Sequence, residues 1–198
     1  MVERVAREGG LEQHQGVVFV IIAGMIFGLM PLMARQIYEQ GSNPITLTLH
    51  RFLLSIPFLF ILAKSTRADF ALTKPYIRWV ILLALGFAPT SFLLYASYNY
   101  ISSGVATTIH FIYPVIVLLG CVVVYRERLD RTQMMGALLS LLGIVSFIEL
   151  KDGLALKGLF LAFLSGVTLT FYVIYLAKGK VKAVNQYELA CLLSVASA

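Results

Sequence analysis

Arg51 is the residue whose position in this sequence most demands an explanation. It stands about seven residues into a run, 44–63, that is otherwise almost free of charge. On a helix beginning at Pro44, that places it about 10 Å from the helix start. A guanidinium keeps its charge and is costly in apolar surroundings, so it needs a partner. It either meets an anionic group on a solute or gate, or it serves the fold through a salt bridge or a helix dipole. His50 beside it points elsewhere on the helix, towards an interface. His110 lies at similar depth in the run 104–125, where Thr107, His110 and Pro114 share one helical face. A histidine there could relay protons, which makes protons a candidate coupling ion, or it could be a hydrogen-bonded packing residue. Ser91, Tyr95 and Tyr98 or Asn99 line one face of 76–99, and Ser165, Thr168, Tyr172 and Tyr175 line one face of 155–177. Such faces suit a cavity that takes amphipathic solutes by stacking and hydrogen bonding. Tyrosines at the lipid–water interface would account for Tyr98, Tyr100 and Tyr175, whereas Tyr95 and Tyr172 lie deeper. The expected solute-binding set is Arg51, Tyr95, Asn99, Thr107, His110, Thr168 and Tyr172.

The elements that must position these residues are apolar helices. The run 16–35 carries no charge between its ends, and about 20 residues of helix span about 30 Å, the thickness of a bilayer core. Further runs are predicted at 44–63, 76–99, 104–125, 132–149 and 155–177, with a shorter start at 186–198. Hydrophobic residues make up 59% of the chain and charged residues 13%, with a mean hydropathy of +0.85. Soluble domains carry about 25% charge, so lipid must cover this surface. Asn43-Pro44 is a helix-start signal, and residues 1–15 read as a short polar tail. The run 16–35 is longer than the apolar region of a signal peptide, and no small-residue cleavage site follows it. Cys121 and Cys191 lie in apolar runs without a CxxC partner, which favours packing over a disulfide or metal site. Gly24-x3-Gly28 and the Gly136, Ser140, Gly143 series read as close-packing helix faces. Pro31, Pro57, Pro89 and Pro114 can kink helices. Glu127 between Arg126 and Arg128 reads as a charge cluster at a helix end, with gating an open alternative.

Basic residues fix the expected orientation. With the N-terminus inside, twelve of the sixteen lysines and arginines fall on the cytoplasmic side and three on the other, with Arg51 inside a helix. The bias alternates at every loop. The net charge of +6 is spread over these loops, not clustered with aromatics on one solvated face, so nucleic acid is not expected as a partner.

Gly16 and Gly158 are 142 residues apart, and the same offset relates Gly24 to Gly166, Asn43 to Asn185 and Leu47 to Leu189. Five helices fall within one period. An odd number inverts the second unit, and inverted repeats point to secondary transporters with a site near the midplane. Gly24, Gly28 and Pro31, then Arg51, then the run from Ala106 through Pro114, Glu127, Gln133, Gly136 and Gly143 together resemble the EamA-like family of the drug/metabolite transporter superfamily. The resemblance covers 16–198. It implies ten helices in two inverted five-helix units with both termini cytoplasmic.

The expected class is therefore an all-α, polytopic helical membrane protein. Its parts are a cytoplasmic tail (1–15), a complete five-helix unit (16–157) and the start of a second unit (158–198). That second unit is expected to be cut short, by about 100 residues on a ten-helix plan. The expected activity is secondary-active export of small metabolites or amino-acid-like solutes by alternating access in the inner membrane. A non-transporting half-unit or scaffold, or an inactive truncated form, is the alternative. The partners expected are a small-molecule solute, the lipid bilayer and protons, with a homodimer allowed. No cofactor or metal is expected. Ile101-Ser102-Ser103-Gly104 lacks the first glycine of a GxSG motif, and neither HExxH nor a P-loop occurs, so no enzyme is expected.

Overall fold

The computed structural model describes residues 2–68, 70, 73–126, 129–147, 155–178 and 185–198, with backbone alone for 2–16, 20 and 147. The described residues form helices and turns without a strand. The chain divides into two units, Met1–Gln40 and Gly41–Ala198.

The first unit is one helix, α1 (Val2–Glu39), with Pro31 inside it. It is longer than the sequence predicts, because residues 2–15 continue the helix instead of forming a tail. That stretch holds no proline and is supplied with Glu, Arg, Leu and Gln, which favour helix. Near its end Arg35 Nε donates to Glu39 Oε1 at 3.4 Å, an exposed pair of little energetic weight.

The second unit begins at Gly41, whose φ of 88° suits a residue without a Cβ. Asn43 then caps α2 (Pro44–Ser65), accepting from Thr46 N at 2.8 Å with Pro44 at the first helical position. The proline's missing N–H costs nothing there. α3 (Lys74–Ser97) returns antiparallel to α2. α4 (Ser103–His110) and α5 (Tyr113–Tyr125) follow, and α5 stops where Arg126 takes a left-handed conformation, φ 53°. α6 (Arg131–Phe147), α7 (Leu156–Lys178) and α8 (Gln186–Ser197) complete the described helices. Glu127, Arg128, Lys151, Asp152, Lys180 and Lys182, on which the charge-cluster and loop expectations fell, lie outside the described residues.

α7 is the central helix. It packs antiparallel on α3 and parallel to the α4–α5 pair, while α8 packs antiparallel on α2 and also touches α3. The α3–α7 seam is close because small residues line it. A Cβ on Gly86 would meet Thr168 O at 3.2 Å and Tyr172 Cβ at 3.1 Å, and one on Gly158 would meet Tyr100 Cβ at 2.8 Å. With lipid outside, close backbone approach and dispersion hold helices together, not water exclusion. Val80, Leu83, Ala84, Leu189 and Leu193 form one buried cluster, and Leu94, Ala106 and Ala162 a second. Among the described residues nothing comes within 4 Å of a Cβ placed at Gly136 or Gly143, so the described helices do not supply the close packing expected on that face of α6.

The outward surface is apolar: Phe58 is 69% exposed, Leu139 66% and Val123 76%. Five stretches are long and apolar enough to cross a bilayer: Val17–Glu39, Pro44–Ser65, Lys74–Ser97, Ser103–Tyr125 and Leu156–Lys178. The protein is an all-helical, multi-pass membrane protein.

One span is broken where the sequence predicts a continuous helix. α4 ends at His110 and α5 starts at Tyr113. Pro114 has no N–H to give the His110 carbonyl four residues back, and its ring crowds that carbonyl. The chain tightens there, with Ile112 N donating to Ile109 O at 3.1 Å.

Candidate functional site

A cavity of about 450 Å³ opens between α2, α3, α7 and α8. From α2, Arg51, Phe52, Ser55 and Leu59 line it, and from α3, Phe87. Tyr172 and Leu176 face it from α7, and Leu189, Leu193 and Ser194 from α8. Phe52, Phe87 and Tyr172 form a row of rings, with centroids 5.6 Å and 5.2 Å apart along it. Opposite the rings, Ser55 donates to Ser194 Oγ at 3.0 Å and ties α2 to α8. At the far end of the same pair, Asn185 caps α8 through Tyr187 N and donates to Thr66 Oγ1 at 2.8 Å.

Arg51 is the charged member of the lining. The Asn43-Pro44 start sets the register of α2, which puts Arg51 against the α3 face that carries Ser91 and Tyr95. Those two residues are four apart, so one helical face presents both hydroxyls. Arg51 Nη1 donates to Ser91 Oγ at 3.3 Å and to Tyr95 Oη at 3.2 Å. Its Cζ sits 6.0 Å from the Tyr95 ring centroid and 5.9 Å from that of Phe52, within cation–π reach. These neutral acceptors orient the guanidinium without cancelling its charge. Among the described residues no carboxylate pairs with it.

His110 has different surroundings. It is 1% exposed, and its Nδ1 lies 2.8 Å from Ser165 Oγ. The Ser165 hydroxyl donates to Ala162 O at 2.6 Å, so its lone pairs are what it offers the ring, which fits a histidine with Nδ1–H donating. Gly166 lets α7 lie under the break: a Cβ there would stand 3.1 Å from His110 O. Thr170 Oγ1 donates to Tyr113 O at 3.3 Å on the other side of the break. Ser165, Gly166 and Thr170 thus brace the interruption between α4 and α5.

The seven residues singled out from the sequence separate into distinct places. Arg51 and Tyr172 line the cavity, and Tyr95 holds Arg51 from behind. Thr168 pairs with Thr90 Oγ1 at 2.8 Å across the α3–α7 seam. Thr107 accepts or donates with Tyr98 Oη at 3.1 Å, so Tyr98 and not Asn99 makes the polar contact at the end of α3. Asn99 is exposed in the turn beyond that helix. His110 shares a helix with Thr107 but is enclosed against α7, away from the cavity. Sequence reasoning missed Phe52, Ser55, Phe87 and Ser194. One signal was available: the 142-residue offset relates Phe52 to Ser194 and Arg51 to Leu193, and all four line this cavity. Among the described residues no three of histidine, cysteine, aspartate and glutamate come together as a metal ligand set.

Comparison with known proteins fixes the lineage. Residues 14–148 match the EamA-like transporter family. The chain belongs to that family. It is 31% identical over 138 residues to the Uncharacterized inner membrane transporter YhbE of Escherichia coli (strain K12), a stretch covering 68% of this chain and 43% of YhbE. It is 26% identical over 136 residues to an Uncharacterized transporter of Haemophilus influenzae, covering 68% of this chain and 44% of the relative. The EamA-like chain thus spans less than half the length of these curated relatives. No solved structure matches it significantly. With its lipid-facing helices, this EamA-like chain is a multi-pass protein of the inner membrane.

Proposed function

We propose that this chain serves secondary-active transport, exporting small metabolites or amino-acid-like solutes by alternating access, with the cavity as its solute site. The observation that carries the reading is Arg51: an uncancelled guanidinium on the wall of a membrane-embedded cavity, held by Ser91 and Tyr95. Cations at membrane depth mark solute and ion paths. The inverted repeat is supported by the capping of both α2 and α8 by offset-related asparagines, Asn43 and Asn185, and by the antiparallel packing of the two helices. Two units related in this way would rock about the cavity. Arg51 and Tyr172 are the solute-side residues in this proposal, Tyr95 positions Arg51, and Thr168, Thr107, His110 and Asn99 serve the fold. A proton gradient is the proposed drive, and the N-terminus is placed in the cytoplasm by the basic-loop bias.

Arg51→Leu is expected to abolish solute export from cells while leaving membrane insertion intact. Unchanged export removes Arg51 from the site. A reporter fused after Lys182 is expected to face the cytoplasm.

A further inference from the structure

We infer that the cavity selects amphipathic monocarboxylates whose body is aromatic or branched aliphatic, and that it discriminates against the corresponding amino acids and amines. This rests on the reading of the cavity as the solute site; of the two solute classes proposed there it keeps small metabolites and sets amino acids aside. Three observations carry it. The first is charge: Arg51 is the one ionised side chain of the described lining, and among the described residues its hydrogen bonds go to the neutral hydroxyls of Ser91 and Tyr95. With Nη1 engaged by these two hydroxyls, the planar group still offers its Nη2 and Nε donors to a carboxylate. A single positive charge matches a monoanion, whereas a phosphate monoester would carry a second negative charge without a partner.

The second observation is the rest of the wall. Phe52, Phe87 and Tyr172 provide a ring surface, with Leu189 and Leu193 across from it. An aromatic or branched body packs there, and a volume of about 450 Å³ holds a small metabolite rather than a large conjugate. The third is what the described lining does not offer an ammonium group: no carboxylate stands in it. An amino acid seated with its carboxylate on Arg51 would place its ammonium among rings, leucines, the neutral amide of Gln186 and the Ser55–Ser194 pair, whose hydroxyls already bond each other. An ionised ammonium desolvated without an anionic partner is penalised heavily. The same acid without its amino group avoids that penalty.

The test is calorimetric titration of the purified full chain in detergent with four probes that share one ring: phenylacetate, phenylalanine, phenethylamine and phenyl phosphate. Phenylacetate is expected to bind at least about ten-fold tighter than each of the others, as one well-placed charge-assisted contact would give. Arg51→Gln is expected to lose that advantage, and Arg51→Lys to keep the anion preference at reduced affinity. Phenylalanine or phenethylamine binding as tightly as phenylacetate overturns the substrate class while leaving the site in place. Binding of none of the four overturns the cavity as the solute site. Should Arg51→Gln not fold, the ranking of the four probes on the unaltered chain decides the matter.

Discussion

Arg51 and His110 lie at similar depths in their helices and both bond to hydroxyls, yet their surroundings are opposite. Arg51 meets neutral oxygens on one side and a cavity on the other. His110 is sealed by α7, with Ser165 on its ring, Gly166 under its carbonyl and Thr170 on the next turn. The first arrangement leaves a charge without an ionic partner among the described residues, which the proposed solute would answer. The second closes a polar group off and spends it on bracing a helix that Pro114 has interrupted. Residue type and depth alone do not separate a binding residue from a structural one; the occupant of the remaining side does.

The comparison can be broken most sharply at His110. His110→Ala removes a buried ring and leaves Ser165 without its partner, at a cost of about 2–4 kcal/mol. It should lower the melting temperature in detergent while sparing phenylacetate affinity in the chain that still folds. Arg51→Leu should do the reverse. A His110 variant that keeps its melting temperature but loses ligand would reverse the assignment of the two residues.

A smaller effect is expected at the brace itself. A Cβ at Gly166 would press on a backbone carbonyl at 3.1 Å, which cannot swing away as a side chain can. Gly166→Ala should destabilise by about 1–3 kcal/mol through overpacking. Gly136→Ala, where no described atom is near, should instead stabilise α6 by up to about 1 kcal/mol through helix propensity. Equal shifts for the two glycines in thermal unfolding would show that α7 does not press on the break.

The smallest change belongs on the cavity side. Ser194→Ala removes the hydroxyl that accepts from Ser55 and should cost about 0.5–1.5 kcal/mol. It should leave the anion preference unchanged, because Arg51 sets that preference. A large loss of binding would shift the centre of the site from α2 to α8.

Much of the fold was legible because lipid imposes a simple rule. A backbone in hydrocarbon must satisfy its own hydrogen bonds, so long apolar runs can only be helices. The runs read at 44–63, 76–99 and 155–177 could therefore be placed from composition to within about two residues at their starts, and Asn43-Pro44 marked its helix start to the residue. The break at Phe111–Ile112 was less legible. Proline in a membrane helix permits a kink, but the size of the interruption depends on what the neighbouring helix supplies. Here the support is Gly166 and Thr170, more than fifty residues away.

The sequence by itself determined that this chain lives in lipid, where most of its long apolar helices run, and that Arg51 would need an answer to its charge. Those are properties of single segments and of the medium. Only the tertiary structure decided which hydroxyls hold Arg51, that His110 is closed off while Tyr172 is not, and that Phe87 and Ser194 share a wall. Facing is set by how helices of similar greasiness rotate against one another. Where lipid is as apolar as the core, hydropathy carries no signal of that rotation, and the small residues and hydroxyl pairs that fix it show their meaning only once they are side by side.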